Sequence, residues 1–372
     1  MINIKKESKK FNLIKTIHPN RFNFTKLTAI CLTGILFIVI QFSYIYLLLF
    51  IFCLVSSLLI TKQGIKILKE KEITQFIRKE GPKSHRSKEG TPTIGGMIII
   101  PFSIILMLLV CINADDFDKI LNIILLLTCF LGIGFLDDYI GSKAHRNRGL
   151  SVKNKFLLQF IASIIFLTIC INQDWINQSI YLYGNHEIYL GKFILPIYCL
   201  IITGLSNASN LSDGLDGLAS GCSVLIFIGL AINLVLQNNG SYSSFIIICL
   251  IMAGTWFGFL ILNKNPAQIF MGDSGSLSIG AVLAGIGILT NSIFPVLIMS
   301  GIFLLEALSV ILQVSFFKIT KKFKKKGERI FLMAPIHHHY ELKGLKESEI
   351  VYTFWWITFC LTFIGILLRS RI

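Results

Sequence analysis

Adjacent acids at Asp137-Asp138-Tyr139, a pair three residues apart at Asp213 and Asp216, and a glycine-flanked acid at Asp273 are the residues whose types and spacing suit chemistry. Neighbouring carboxylates repel each other and gain little unless a cation or basic group offsets them. The stretch Asn207–Ala219 carries Asn210, Asp213 and Asp216 with Gly214 and Gly217 after the acids, and no basic residue. On a helical turn a three-residue spacing puts both acids on one face, and glycine lets a backbone or ligand come close. Small residues around Asp273, in Met271-Gly272-Asp273-Ser274-Gly275, suit a hard cation with oxygen ligands. Solvated helix ends and capped turns are the plainer alternatives at each place.

Other loops supply donors. Gly81–Gly96 combines Lys83, His85, Arg86 and Lys88 with hydroxyls and turn residues directly before an apolar run, which suits an anion at a helix start. His337, His338 and His339 are consecutive, whereas zinc helices present His at i and i+4, so this run favours hydrogen bonding to a substrate over a structural metal. The run from Lys318 to Lys326 reads as an anchor beside anionic lipid. Glu306 lies inside an apolar run, where an acid is a default functional residue, although a packing role is open.

These loops are separated by the elements that must hold them. The 372 residues are 54% hydrophobic and 15% charged, with a mean hydropathy of +0.72. A soluble domain is about 45–50% apolar and about 25% charged, so the balance excludes ordinary water-soluble folds and disordered chains. Apolar runs predict an all-α polytopic membrane protein of about ten transmembrane helices, at 44–61, 94–112, 120–136, 156–171, 188–205, 217–236, 244–262, 277–290, 293–317 and 351–368, each unbroken. Residues 1–43 form a basic segment and an apolar stretch, and 44–372 a single catalytic transmembrane domain.

Parity places the loops 62–93, 137–155, 206–216, 263–276 and 318–350 on one side with 24 Lys or Arg, against four on the other. The positive-inside rule assigns the richer side to the cytoplasm. Ten spans leave the seven basic residues of 1–26 outside; an eleventh span at 27–43 would bring them in. The net charge of +15 is thus explained by topology, and no nucleic-acid partner is expected. The nine cysteines sit in apolar runs without a C-x-x-C pair, which predicts neither disulfides nor a thiolate metal site. No cleavable signal peptide is expected.

Five loops on one side thus bring together carboxylates for a divalent cation, cations and amides for phosphates, and imidazoles. That inventory suits phosphoryl transfer between a lipid and a water-soluble substrate, where catalysis is mostly positioning and charge neutralisation.

Gly90–Gly96, Asp137–Tyr139, Asn210–Gly217, Pro266–Leu277 and Ala334–Gly344 occur in an order that resembles the phospho-N-acetylmuramoyl-pentapeptide-transferase family of the polyprenyl-phosphate sugar-1-phosphate transferases, over roughly 62–372. The resemblance implies a ten-helix bundle, catalysis on the cytoplasmic face of the bacterial inner membrane, Mg²⁺, and transfer of the phospho-sugar from UDP-MurNAc-pentapeptide to undecaprenyl phosphate. It implies Asp137, Asp138, Asp273 and His337 as catalytic, with Asp273 the metal ligand. Lys88, Thr93, Asn210, Asp213, Asp216, Asn263, Phe270, Gln313 and His338 would line the substrate pocket, Phe270 stacking on uracil. A homodimer is compatible with this reading. The alternatives are a related transferase for another UDP-sugar and, from another class, a transporter.

Departures from the family pattern are Gly141, where a lysine is usual, so that a phosphate contact passes to Lys143 or Lys155; Ser209 and Ser274 at apolar positions; and a longer, lysine-rich stretch from Gln313 to His337.

Overall fold

The structure, a computed structural model, describes residues 23–41, 44–71, 88, 90–143, 149–184, 186–237 and 243–368. The N-terminal tail before Asn23, the suggested turn at Phe42-Ser43, the cations Lys83 to Arg86, and Arg369 and Arg371 lie outside the described residues, as does the side chain of Lys143.

The helices are α1 (Phe24–Gln41), α2 (Tyr44–Glu70), α3 (Gly96–Cys111), α4 (Phe117–Lys143), α5 (Val152–Asn172), α6 (Ile194–Leu211), α7 (Leu218–Gln237), α8 (Ser243–Asn263), α9 (Gly272–Leu289), α10 (Ile293–Met299), α11 (Gly301–Lys324), α12 (Ile336–Leu342) and α13 (Glu347–Leu367). Among the described residues nine helices are long and apolar enough to cross a membrane, with α3 shorter but apolar, so the fold is an all-α membrane bundle. A two-stranded antiparallel hairpin, β1 (Ser179–Tyr181) and β2 (Glu187–Tyr189), links α5 to α6. Its alternating polar and aromatic residues are too short a run to have been separated from the following apolar span.

α7, α8 and α9 form the inner trio, buried along nearly their whole length, and the other helices pack around them. Bare backbones make this closeness feasible. Gly134 of α4 lies on the carbonyl of Asp273, Gly96 of α3 on Gly275, and Gly280 of α9 on Leu205 of α6, so a side chain at any of the three would strike main chain. Where backbones touch, hydroxyls bind across: Ser206 donates to Leu277 O at 2.9 Å and Ser209 to Ser276 O at 2.6 Å. The unusual Ser209 thereby ties α6 to α9.

The apolar stretch 27–60 is divided between two helices. Phe24 at the start of α1 packs on Phe257 and Trp355 with Lys264 over its ring, while Gly34 farther along faces Ile228 and Ile232 of α7. α1 therefore starts at the end of the bundle where α8 and α9 meet, and α2 returns to it.

The unbroken span expected at 293–317 is not formed. α10 stops at Met299 and α11 begins at Gly301, with Ser300 between them at φ −82° and ψ 12°. Adjacent Ser and Gly are a recognised site for a break, since the small pair neither packs nor favours continued helix. After the break α11 leans away from the bundle: Leu308, Ile311, Ile319 and Phe323 are exposed, and few of its residues are buried.

Candidate active site

The ends of α4, α6 and α8 and the starts of α3, α5, α7 and α9 meet at one end of the bundle, with α12 and the start of α13 against them. Asp138, in the last turns of α4, accepts hydrogen bonds from the main-chain N–H of Asp273 at 2.9 Å and of Ser274 at 3.0 Å. It thus caps α9, whose first N–H groups have no partner in their own helix and attract negative charge. The turn into α9 needs Gly272, at φ +72°, because a Cβ there would press on the Asp138 carboxylate. Asp137, one residue earlier, accepts from the Leu150 N–H at 3.0 Å, and its carboxyl meets that of Asp273.

Asp273 is held on both oxygens. Lys155 binds Oδ2, and Asn210 in the last turn of α6 donates to Oδ1 at 2.8 Å while also reaching Ser276 Oγ at 2.9 Å. The Lys155 ammonium lies 3.8 Å from Asp137 as well. Its place is set locally: Ser151 accepts from the Asn154 N–H at 3.2 Å and starts α5 one turn before Lys155. Of the two lysines named for the position where the family lysine is missing, Lys155 is the one seen at the acids.

Residues 212–217 form a turn, so Asp213 and Asp216 do not share a helical face as the spacing suggested. Gly214 and Gly217, the latter at φ +79°, break the helix, and the acids enter two different clusters. Asp213 stays with the carboxylates. Burial, then repulsion from Asp273, Asp138 and Asp216, pushes its pKa well above the ordinary carboxylate range, against the pull of Lys88.

Asp216 is buried and has the basic partner that its own loop lacks. Lys88 donates to its Oδ1 at 2.7 Å, and Asn265 and the Ala267 N–H reach its Oδ2 at 3.1 and 3.0 Å. The same ammonium binds Glu347 at 2.6 Å. Burial works against the Lys88 charge, but Glu347 and Asp216 outweigh it and raise its pKa. Lys88 is thus held between two carboxylates, and the first amides of α3 are taken: Gly95 and Gly96 donate to Phe270 O and Met271 O at 2.9 Å.

Thr93 and Phe270 flank that backbone pairing, each half-buried, and the Phe270 N–H donates to Pro92 O at 2.8 Å. Asn263 lies deeper. Its amide is spent on Ser220 at 2.6 Å and Ile269 O at 2.9 Å, behind the pocket wall. Gln313 stands apart on α11, where Oε1 accepts from Ile330 and Phe331 N–H at 3.0 and 2.9 Å and Nε2 donates to Phe331 O at 3.0 Å. It binds the returning chain to α11 and so delivers the histidine segment.

The three imidazoles take different partners, although the His337 and His338 rings pack edge to face with centroids 4.1 Å apart. His337 is buried, with Nδ1 3.2 Å from Glu306 Oε1 and its other ring nitrogen under Gly214. His338 Nδ1 meets Glu341 at 2.7 Å, and His339 Nδ1 accepts from the Leu332 N–H at 3.1 Å. The residues that sequence reasoning left out are Asn265, after α8, and Glu347, at the start of α13, whose partners only the fold reveals.

Residues 120–291 match the family described as Glycosyl transferase family 4. The chain is 47% identical to the phospho-N-acetylmuramoyl-pentapeptide-transferase of Prochlorococcus marinus strain MIT 9301, over 98% of this chain and 99% of that one. It is 48% identical to the protein of the same name from strain SARG, over 85% and 86% of the two chains. It is 45% identical to that from Synechococcus sp. strain CC9605, over 82% and 87%. With identity sustained over almost the full length of both proteins, and with the acids of the matched segment gathered at one bundle end, this chain belongs to the phospho-N-acetylmuramoyl-pentapeptide-transferase family.

Proposed function

We propose that this chain transfers phospho-N-acetylmuramoyl-pentapeptide from its UDP carrier to undecaprenyl phosphate and releases UMP, at the cytoplasmic face of the bacterial inner membrane. The observation that carries the proposal is the joining of Asp138, Asn210, Asp273 and Lys155, from four helices, in one hydrogen-bonded group at a helix start. The excess of Lys and Arg in the loops at this end supports the cytoplasmic side. Beside it the exposed apolar flank of α11 offers a polyprenyl chain a path along the bundle in contact with lipid.

Mg²⁺ fits the donor set. Asp137, Asp138, Asp213 and Asp273 crowd together with Lys155 as the ammonium between two of them. Among the described residues no three acid, His or Cys side chains form a ready cage. Mg²⁺ needs none, since it keeps several waters and takes one or two carboxylates with substrate phosphates. Asp273 would hold it, with Asp137 beside it, and bound there it would draw charge from the diphosphate.

The chain's own groups do the rest. An oxygen of the lipid phosphate attacks the β-phosphorus in line; the new P–O bond forms as the bond to the bridging oxygen breaks, and that oxygen leaves on UMP. Asp137 orients the attacking phosphate or takes its last proton, Lys155 offsets the charge that gathers, and Asn210 holds Asp273 in place. Asp138 fixes the start of α9 and with it the position of Asp273. Lys88, Thr93, Phe270 and Asp216 form the nucleotide side, and His338 the side toward α11. His337 supports the 213–214 turn from beneath.

The test is UMP release by purified protein with undecaprenyl phosphate and UDP-MurNAc-pentapeptide, with and without Mg²⁺, in parallel with Asp273→Asn and Asp137→Asn. Loss in both variants and without metal is expected. Unchanged rates would refute the site, and faster turnover of UDP-N-acetylglucosamine would assign the chain to a sister activity.

A further inference from the structure

The charged group around Lys88 is built from four separate parts of the chain. Lys88 precedes α3, Asp216 lies in the turn between α6 and α7, Asn265 follows α8, and Glu347 opens α13. Glu347, like Asp216, touches the other three. Its Oε1 accepts from the Lys88 ammonium at 2.6 Å and from the Asp216 main-chain N–H at 2.6 Å, and its Oε2 lies 3.4 Å from the Asn265 amide. Only 14% of the Glu347 and Lys88 side chains is exposed, so solvent screens the pair little.

An ammonium has three N–H donors and a long flexible stem. Asp216 and Glu347 take two of the three and fix the direction of the last. Asp216 alone would hold the charge without fixing that direction, because one partner leaves the head group free to rotate. Glu347 also binds the main chain of the Asp213–Gly217 turn, which carries Asp213 into the carboxylate cluster. A carboxylate in the first turn of α13 gains from that helix's positive end as well.

We propose that Glu347 is a positioning residue for the nucleotide-sugar pocket: by holding the Lys88 ammonium and the Asp216 amide together, it presents the remaining Lys88 donor to the soluble substrate. It touches no reacting atom. The inference rests on the proposal above that Lys88 lines that pocket, and it adds a residue from α13, outside the sequence motifs, to the determinants of substrate affinity.

The experiment measures UMP release, with each substrate varied in turn, for the full chain and for Glu347→Gln, Glu347→Ala, Lys88→Ala and Lys88→Ala with Glu347→Ala. Gln keeps an oxygen for the Asp216 amide but lacks the charge that orders Lys88. Its KM for the UDP-sugar should rise by roughly tenfold, about the worth of one charge-assisted hydrogen bond, with kcat within about twofold and KM for the polyprenyl phosphate unchanged. If Glu347 acts through Lys88, the double variant is no worse than Lys88→Ala alone. Thermal unfolding of each variant separates lost positioning from lost folding, and should show the Gln variant near the parent. Multiplying losses in the double variant, an unchanged KM in Glu347→Gln, or equal effects on both substrates would overturn the inference. If Lys88→Ala itself leaves the KM for the UDP-sugar unchanged, the failure lies in the placing of Lys88 at the pocket.

Discussion

α9 and α11 are both apolar and both contribute to the candidate site, yet they are built to opposite ends. α9 is Gly- and Ser-rich, buried along its length and in backbone contact with α3, α4 and α6. α11 carries Leu, Ile and Phe turned outward, and beyond its first turns little besides Ser309 and Thr320 is buried. Small residues let helices approach in a membrane, where apolar side chains gain little by leaving lipid for one another. The difference teaches that Asp273 is mounted on a post clamped by backbone on three sides, while Glu306 and Gln313 sit on a strut with one face in the bundle and one turned outward.

The largest contrast is expected in the reaction. Asp273→Asn, on the post, should lower UMP release by about 10³-fold, some 4 kcal/mol of transition-state stabilisation, with little change in thermal unfolding. Next in size is packing. Gly280→Leu puts a side chain against the Leu205 carbonyl and should cost about 3 kcal/mol or more by overpacking, whereas Leu308→Ala on α11 should cost well under 1 kcal/mol because Leu308 faces out. Denaturation in detergent compares the two, and equal losses would remove the distinction between the helices.

A smaller effect falls on the strut itself. Glu306→Gln replaces the carboxyl group beside His337 and should slow UMP release by roughly tenfold, with no added loss when His337 is already Ala. Additive losses would mean that Glu306 does not act through that ring.

The smallest is a pH effect at Asp213. Its folded pKa is raised, so its contribution to stability falls as pH rises from about 4, its unfolded value, through the folded value. Asp213→Asn should therefore gain in thermal midpoint over the parent at about pH 8, and gain less at about pH 5. A gain that is independent of pH would show that Asp213 carries no strained charge.

Much of this architecture is legible in the residues. Apolar runs long enough for the bilayer mark the spans, adjacent acids at a span end mark Asp137 and Asp138, and acids beside glycines mark Asp213 and Asp273, because none of these features depends on distant partners. What was not legible depends on such partners. Nothing in the sequence near Asp216 says that Lys88, 128 positions earlier, neutralises it, or that Glu347, 131 positions later, receives its amide. Asn263 and Gln313 look available because an amide advertises four hydrogen-bonding positions, and nothing nearby in sequence names the Ser220 hydroxyl or the 330–331 main chain that they meet. The break at Ser300 is hidden for a third reason: hydropathy is blind to where two small residues let a helix end.

Because α9 meets three neighbours main chain to main chain, the spacing between Asp273, Asp138 and Asn210 is fixed by atoms that neither compress nor change rotamer. A thinner or thicker bilayer would be absorbed by tilting of the outward-facing α11, while the distances among the acids stay as they are. The protein should then keep its intrinsic turnover across membranes of different acyl length, provided that the lipid partner can still reach the site.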